Sequence, residues 1–134
     1  AFKHPKPIDI VRTAERVSGM ELDWYLIDFA QTTNTIDYGV KSIEKNSITL
    51  ERLSSMPMPI DLEVSYVDGT SETFYIPLRM MRGQKETEAT VLEDWAWAFP
   101  TYSFETSKEV KSVKLNPNGM MADINPKNDT MNLE

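Results

Sequence analysis

Cysteine is absent from this chain and histidine occurs once, at His4. The first absence removes disulfides and thiolate chemistry, though it does not fix the compartment. The second removes a self-contained zinc site, which draws several nitrogen or sulfur ligands. His4 lies beside Pro5 in a proline-rich terminal stretch and reads as an exposed linker side chain. Basic charge is also scarce: 14 Lys and Arg stand against 21 Asp and Glu, a net charge of −7. That excludes a broad phosphate-binding face and so argues against nucleic acid as a partner. It argues equally against docking on anionic lipid. No apolar run approaches membrane-spanning length, so no membrane segment is expected. Carboxylates are plentiful, but none belongs to a recognisable acid/base pair. No catalytic residue and no metal ligand can be named. The chain opens on AFKHPKP, with neither a leader nor an initiating methionine, and is expected to be a piece of a longer protein.

What is present suits one domain with a real core: 40% hydrophobic and 26% charged residues are ordinary globular values. The clearest pattern runs from Ile60 to Leu78. Ile60, Leu62, Val64 and Tyr66 alternate with polar residues, as do Phe74, Ile76 and Leu78, and Asp68-Gly69 signals a turn between them. A two-residue loop would send the two apolar rows to opposite faces of the sheet. A three-residue loop, Val67 to Gly69, pairs Leu62 with Phe74 and Ile60 with Ile76. Both rows then share a face, with Gly69 in the left-handed conformation.

Ahead of this hairpin lie two helices. Pro7 suits a helix start, Ile8, Val11, Ala14 and Val17 share one helical face, and Gly19 suits the terminator. The second helix, roughly Glu21 to Gln31, is apolar nearly all round and should be buried on several sides. A small sandwich can cover one of them. Leu26 or Phe29 is expected to reach the β domain, and the rest of the helix pair to be left for a neighbour or for self-association. Trp24, Leu26 and Phe29 are therefore candidate interface residues.

From Ile36 onward the pattern is β. Ile36, Tyr38 and Val40 alternate, and a phase slip to Ile43 predicts a bulge. Ile48 with Leu50, Tyr102 with Phe104, and Val110, Val113 and Leu115 mark further strands. Thr90 to Leu92 suggests a short edge strand and Met120 to Ile124 a last one. The expected fold is mainly β: an antiparallel, immunoglobulin-like β-sandwich of about seven strands preceded by two short helices. The expected segments are a helical part over 1–34, a sandwich over 35–125 and a frayed polar tail over 126–134.

Three groups invite a functional reading. Trp95, Trp97, Phe99 and Tyr102 could form a stacking platform for sugar or peptide, although large aromatics in small β domains mostly pack. Arg79, Arg82 and Lys85 could grip a carboxylate, although a solvated loop suits them as well. Asp123-Ile-Asn125-Pro-Lys127-Asn128-Asp129 loosely resembles a calcium loop. Lys127 and Asn128 depart from it at the fifth and sixth positions, and Glu134 at the twelfth has no flanking helices. A simple polar tail fits this stretch better.

Several stretches together resemble a known family. DIVRTAERVSGMELDWYLIDF, with Ser18, Gly19, Leu22, Trp24 and Tyr25, resembles the closing helices of the catalytic domain in aminopeptidase-N-like (gluzincin) zinc metallopeptidases. Met56 to Gly83, Asp94 to Phe104 and Lys111 to Asn125 resemble the C-terminal β region of bacterial members. That family hydrolyses N-terminal peptide bonds using zinc held by a His-Glu-x-x-His helix and a distant glutamate. Neither this motif nor the family's Gly-x-Met-Glu-Asn segment occurs here, so no catalytic residue carries over. The resemblance implies a noncatalytic C-terminal accessory domain, with no cofactor of its own and with zinc in the catalytic domain of the same parent chain. That catalytic domain would be its partner. The location implied is periplasmic or extracellular. The alternative is an independent carbohydrate- or peptide-binding module using Trp95, Trp97 and Phe99.

Overall fold

A computed structural model describes residues 4–133. Two helices, α1 (Pro7–Ser18) and α2 (Asp23–Gln31), precede eight strands. These are β1 (Tyr38–Glu44), β2 (Ser47–Arg52), β3 (Ile60–Tyr66), β4 (Ser71–Ile76), β5 (Thr90–Val91), β6 (Thr101–Glu105), β7 (Val110–Leu115) and β8 (Thr130–Asn132). They form two sheets, one of three strands in the order β1-β2-β6 and one of five in the order β5-β4-β3-β7-β8. Both sheets contribute to one apolar core. Ile48 and Leu50 of β2 are buried together with Leu62 and Val64 of β3 and with Val113 and Leu115 of β7. The architecture is of β-sandwich type.

The β3–β4 hairpin has the register the apolar pattern demands. Leu62 faces Phe74 and Ile60 faces Ile76. The Tyr66 amide donates to the Thr70 carbonyl at 2.9 Å, closing a loop over Val67, Asp68 and Gly69. Gly69 sits at φ 85°. Within the loop, the Asp68 carboxylate accepts from the Thr70 amide and hydroxyl and from the Lys108 ammonium. Those bonds hold its pKa down at about 2, the Lys108 bond first. The phase slip in β1 is likewise a bulge, between Val40 and Ser42.

Four expectations change. Met120 to Ile124 forms no strand, only an isolated bridge from Asp123 to Ile36. The cause is local: Asn116 uses its side-chain oxygen and nitrogen on the backbone of Met121, closing a loop where a ladder would begin. The tail over 126–134 does not fray within its described residues: β8 pairs with β7, and Asp129 is buried. One pair, β4 with β5, runs parallel in an otherwise antiparallel set. Tyr75, on the outward face of β4, is 1% exposed, because the polar excursion over residues 79–88, after β4, folds back over it. The Lys85 ammonium lies 5.1 Å from its ring.

Candidate interaction surface

The helix pair is built soundly and covered poorly. The Lys6 backbone N–H donates to the Asp9 carboxylate at 2.8 Å, Pro7 opens the first turn, and Gly19 ends α1 at φ 70°. The Glu15 carboxylate reaches across the turn to accept from the Leu22 amide at 2.9 Å. Yet neither helix contains a buried residue. Ile10 is 66% exposed, Val17 83% and Phe29 67%. Ile8, Ile10 and Val11 of α1 and Leu26, Ile27 and Ala30 of α2 line an apolar groove of about 410 Å³. An apolar lining of this kind favours burial against a partner.

Two devices attach the pair to the sheets. Tyr25 packs on the core, taking the place expected of Leu26 or Phe29. Its ring is edge-on to Trp24 at 5.8 Å and stacked on Phe29 at 5.6 Å, so the aromatic run leads outward from the anchor. The second device is a backbone clamp. The Glu21 amide donates to the Arg82 carbonyl at 2.9 Å. Beside it, Gly83 at φ 73° lies so close to Gly19 that a Cβ there would stand 2.2 Å from the Gly19 carbonyl oxygen.

The aromatic candidates separate into two groups. Trp95 is 3% exposed, donates its indole N–H to the Phe99 carbonyl at 2.8 Å, and packs edge-on to Tyr38 at 5.4 Å. Tyr102 lies 5.4 Å from it, half-buried and packed against the core to which Trp95 belongs. Trp97 and Phe99 face outward, at 40% and 61% exposure. The Arg52 guanidinium covers one face of Trp97 at 3.5 Å and donates to the Trp97 carbonyl at 2.9 Å. A continuous platform of three aromatics is therefore not formed.

The basic candidates also disperse. Arg79 faces Asp94 at 3.4 Å, Arg82 faces Glu21 at 3.7 Å and Lys85 faces Asp61 at 2.5 Å, three separate pairs on one loop. Among the described residues no group of three or more His, Cys, Asp or Glu is placed to hold a metal ion. Glu134, the twelfth position of the calcium-like stretch, lies outside the described residues. Among those residues, too, no helix is long and apolar enough to cross a membrane.

Residues 123–129 do more than a polar tail would. The Asp123 carboxylate accepts from the Tyr38 amide at 2.9 Å and from the Asn125 amide at 2.7 Å. The Asn128 side-chain amide donates to Asp37 at 2.8 Å, and its backbone carbonyl accepts from Val40 at 3.0 Å. The Asp-x-Asn spacing at 123–125 is a local turn signal that could have marked this ordered strap. No protein-family model, curated protein or solved structure matches the chain.

Proposed function

We propose that this chain is a noncatalytic C-terminal accessory domain, immunoglobulin-like in type, of an aminopeptidase-N-like zinc metallopeptidase in the periplasm or outside the cell. The observation that carries the reading is the helix pair: two helices whose apolar side chains face outward around an open groove. A free-standing binding module has no use for such a surface. In the parent, the groove would seat against the catalytic domain, with the sandwich as a buttress behind it. The chain itself would neither hold catalytic zinc nor hydrolyse aminoacyl substrates, because such a zinc takes about three protein ligands, mostly imidazole. His4 is the only imidazole present.

The test is a parent enzyme truncated near Thr35. Loss of solubility or thermal stability, with zinc ligation intact, is the expected result. A soluble, fully active and equally stable truncated enzyme overturns the proposal. So does stoichiometric zinc with turnover in the isolated chain. In that isolated chain the uncovered groove should drive self-association, which Ile10→Lys combined with Phe29→Lys should abolish in a sedimentation experiment.

A second reading, a carbohydrate- or peptide-binding module, is favoured only by the exposure of Trp97 and Phe99. Quenching of tryptophan fluorescence by soluble oligosaccharides, lost in Trp97→Ala, would move it ahead.

A further inference from the structure

The strap over residues 123–132 closes across the start of β1 and the edge of β7. The Ile124 amide donates to the Ile36 carbonyl, the Val40 amide to the Asn128 carbonyl and the Leu115 amide to the Asp129 carbonyl, the last at 2.7 Å. Where it closes, the strap carries an electrostatic oddity. Asp129 is 7% exposed, and its Oδ1 is sealed from solvent with no hydrogen-bond partner. Oδ1 of the neighbouring Asn128 is sealed and unpartnered too. Each is a buried acceptor to which no protein group donates, an arrangement that costs free energy unless something supplies a donor.

The groups around Asp129 make ionisation there worse. Asp123 on the strap and Asp37 just ahead of β1 both act on it through their charge. On β7, Lys114 pairs in register with Thr130, and Lys127 lies on the strap, but both are exposed and neither bonds to Asp129. None of the ion pairs among the described residues involves Asp37, Asp123 or Asp129. Nor are these acids spaced to share a metal ion. A proton relieves the crowding of charge directly, since it removes one of three charges and turns an acceptor into a donor.

We propose that the strap over residues 123–132 is a proton-operated latch, closed when the Asp129 carboxyl is protonated and loosened when it ionises. Burial, followed by Asp123 and Asp37, raises this carboxyl from 3.8 to about 6 when the latch is closed. The sign follows from proton binding. A closed state that holds the proton more tightly than the open one is favoured at low pH and loses that advantage as pH rises through about 6.

Amide hydrogen exchange on the full chain tests this. The Val40 and Leu115 amides, both bonded to the strap, report its opening once measured rates are divided by the intrinsic ones. Between pH 5 and pH 7.5 their protection should fall about tenfold, the difference in proton binding between groups titrating near 6 and near 4. Leu62 and Val64 in the central strand should show no such fall. Asp129→Asn, neutral and of the same shape, should give protection that does not vary with pH. Asp37→Asn should move the midpoint to lower pH, because one repelling charge is gone. Protection independent of pH in the natural sequence, or a pH dependence that survives Asp129→Asn, overturns the proposal. Recovery of protection at pH 7.5 on adding calcium alone would also overturn it, by showing that the oxygens await a cation.

Discussion

Gly83→Ala isolates the clamp that joins the helix pair to the sheets. Gly83 and Gly69 have similar left-handed backbones, φ 73° and 85°. Their surroundings differ: a Cβ on Gly69 meets nothing within 4 Å, whereas one on Gly83 would lie 2.2 Å from the Gly19 carbonyl oxygen. Gly69→Ala should therefore cost only the left-handed strain, about 1 kcal/mol. Gly83→Ala carries the same strain and must also push two backbones apart by about 1 Å to restore ordinary contact. The Glu21 N–H···O=C Arg82 bond lies in the path of that shift, and losing it adds about 1 kcal/mol. The clamp should weaken by about 2 kcal/mol in all, a roughly 30-fold rise in local opening. Exchange of the Glu21 amide measures it, with the β3–β4 hairpin amides as the internal reference. Unfolding in urea gives the Gly69→Ala value. A Glu21 amide as well protected in Gly83→Ala as in the natural sequence would refute the reasoning, since the two backbones would then separate without cost.

Other outcomes follow from the same contacts. Trp95→Ala should destabilise by about 3–5 kcal/mol in urea, as expected for a buried tryptophan, while Trp97→Ala should cost within about 1 kcal/mol, being half exposed against Arg52. Deleting residues 126–134 should lower the unfolding midpoint and expose the β7 edge, seen as faster exchange at Val113 and Leu115. An unchanged midpoint would return this segment to the status of a tail. Lys108→Met should let the Asp68 carboxyl titrate closer to the ordinary carboxylate range, followed by carboxyl NMR. The Lys108–Asp68 contribution is present above that range and disappears as pH falls through about 2, so natural and variant stabilities should converge in strong acid.

The hairpin register could be read from sequence because parity leaves no choice: one residue more or less in the loop sends Phe74 to the wrong face. The β1 bulge was readable for the same reason. The strap was not. Its side chains are polar, and what orders it is a set of single bonds from Asp123 and Asn128 to positions on β1 that no local pattern connects. Tyr25 was hidden for the opposite reason. In a helix apolar nearly all round, periodicity does not say which side chain faces inward. The burial of Tyr75 was obscured because its cover is the polar excursion, where Lys85 lies over the ring. Among the aromatics, the packing expectation fits Trp95 and Tyr102, while Trp97 and Phe99 remain at the surface.

The strap also sets the order in which the molecule can assemble. Its bonds from Asp123 to Tyr38 and from Asn128 to Asp37 join positions 85 and 91 residues apart. The β3–β4 hairpin, by contrast, closes through three loop residues and can form while the chain is still growing. Contacts between distant positions form slowly, because the intervening chain must be ordered first. During synthesis β1 must therefore wait for nearly the whole domain to emerge before its outer bonds are made. In that interval the open end of β1 is a bare strand edge beside an exposed apolar helix pair, the moment at which this protein is most exposed to misassociation.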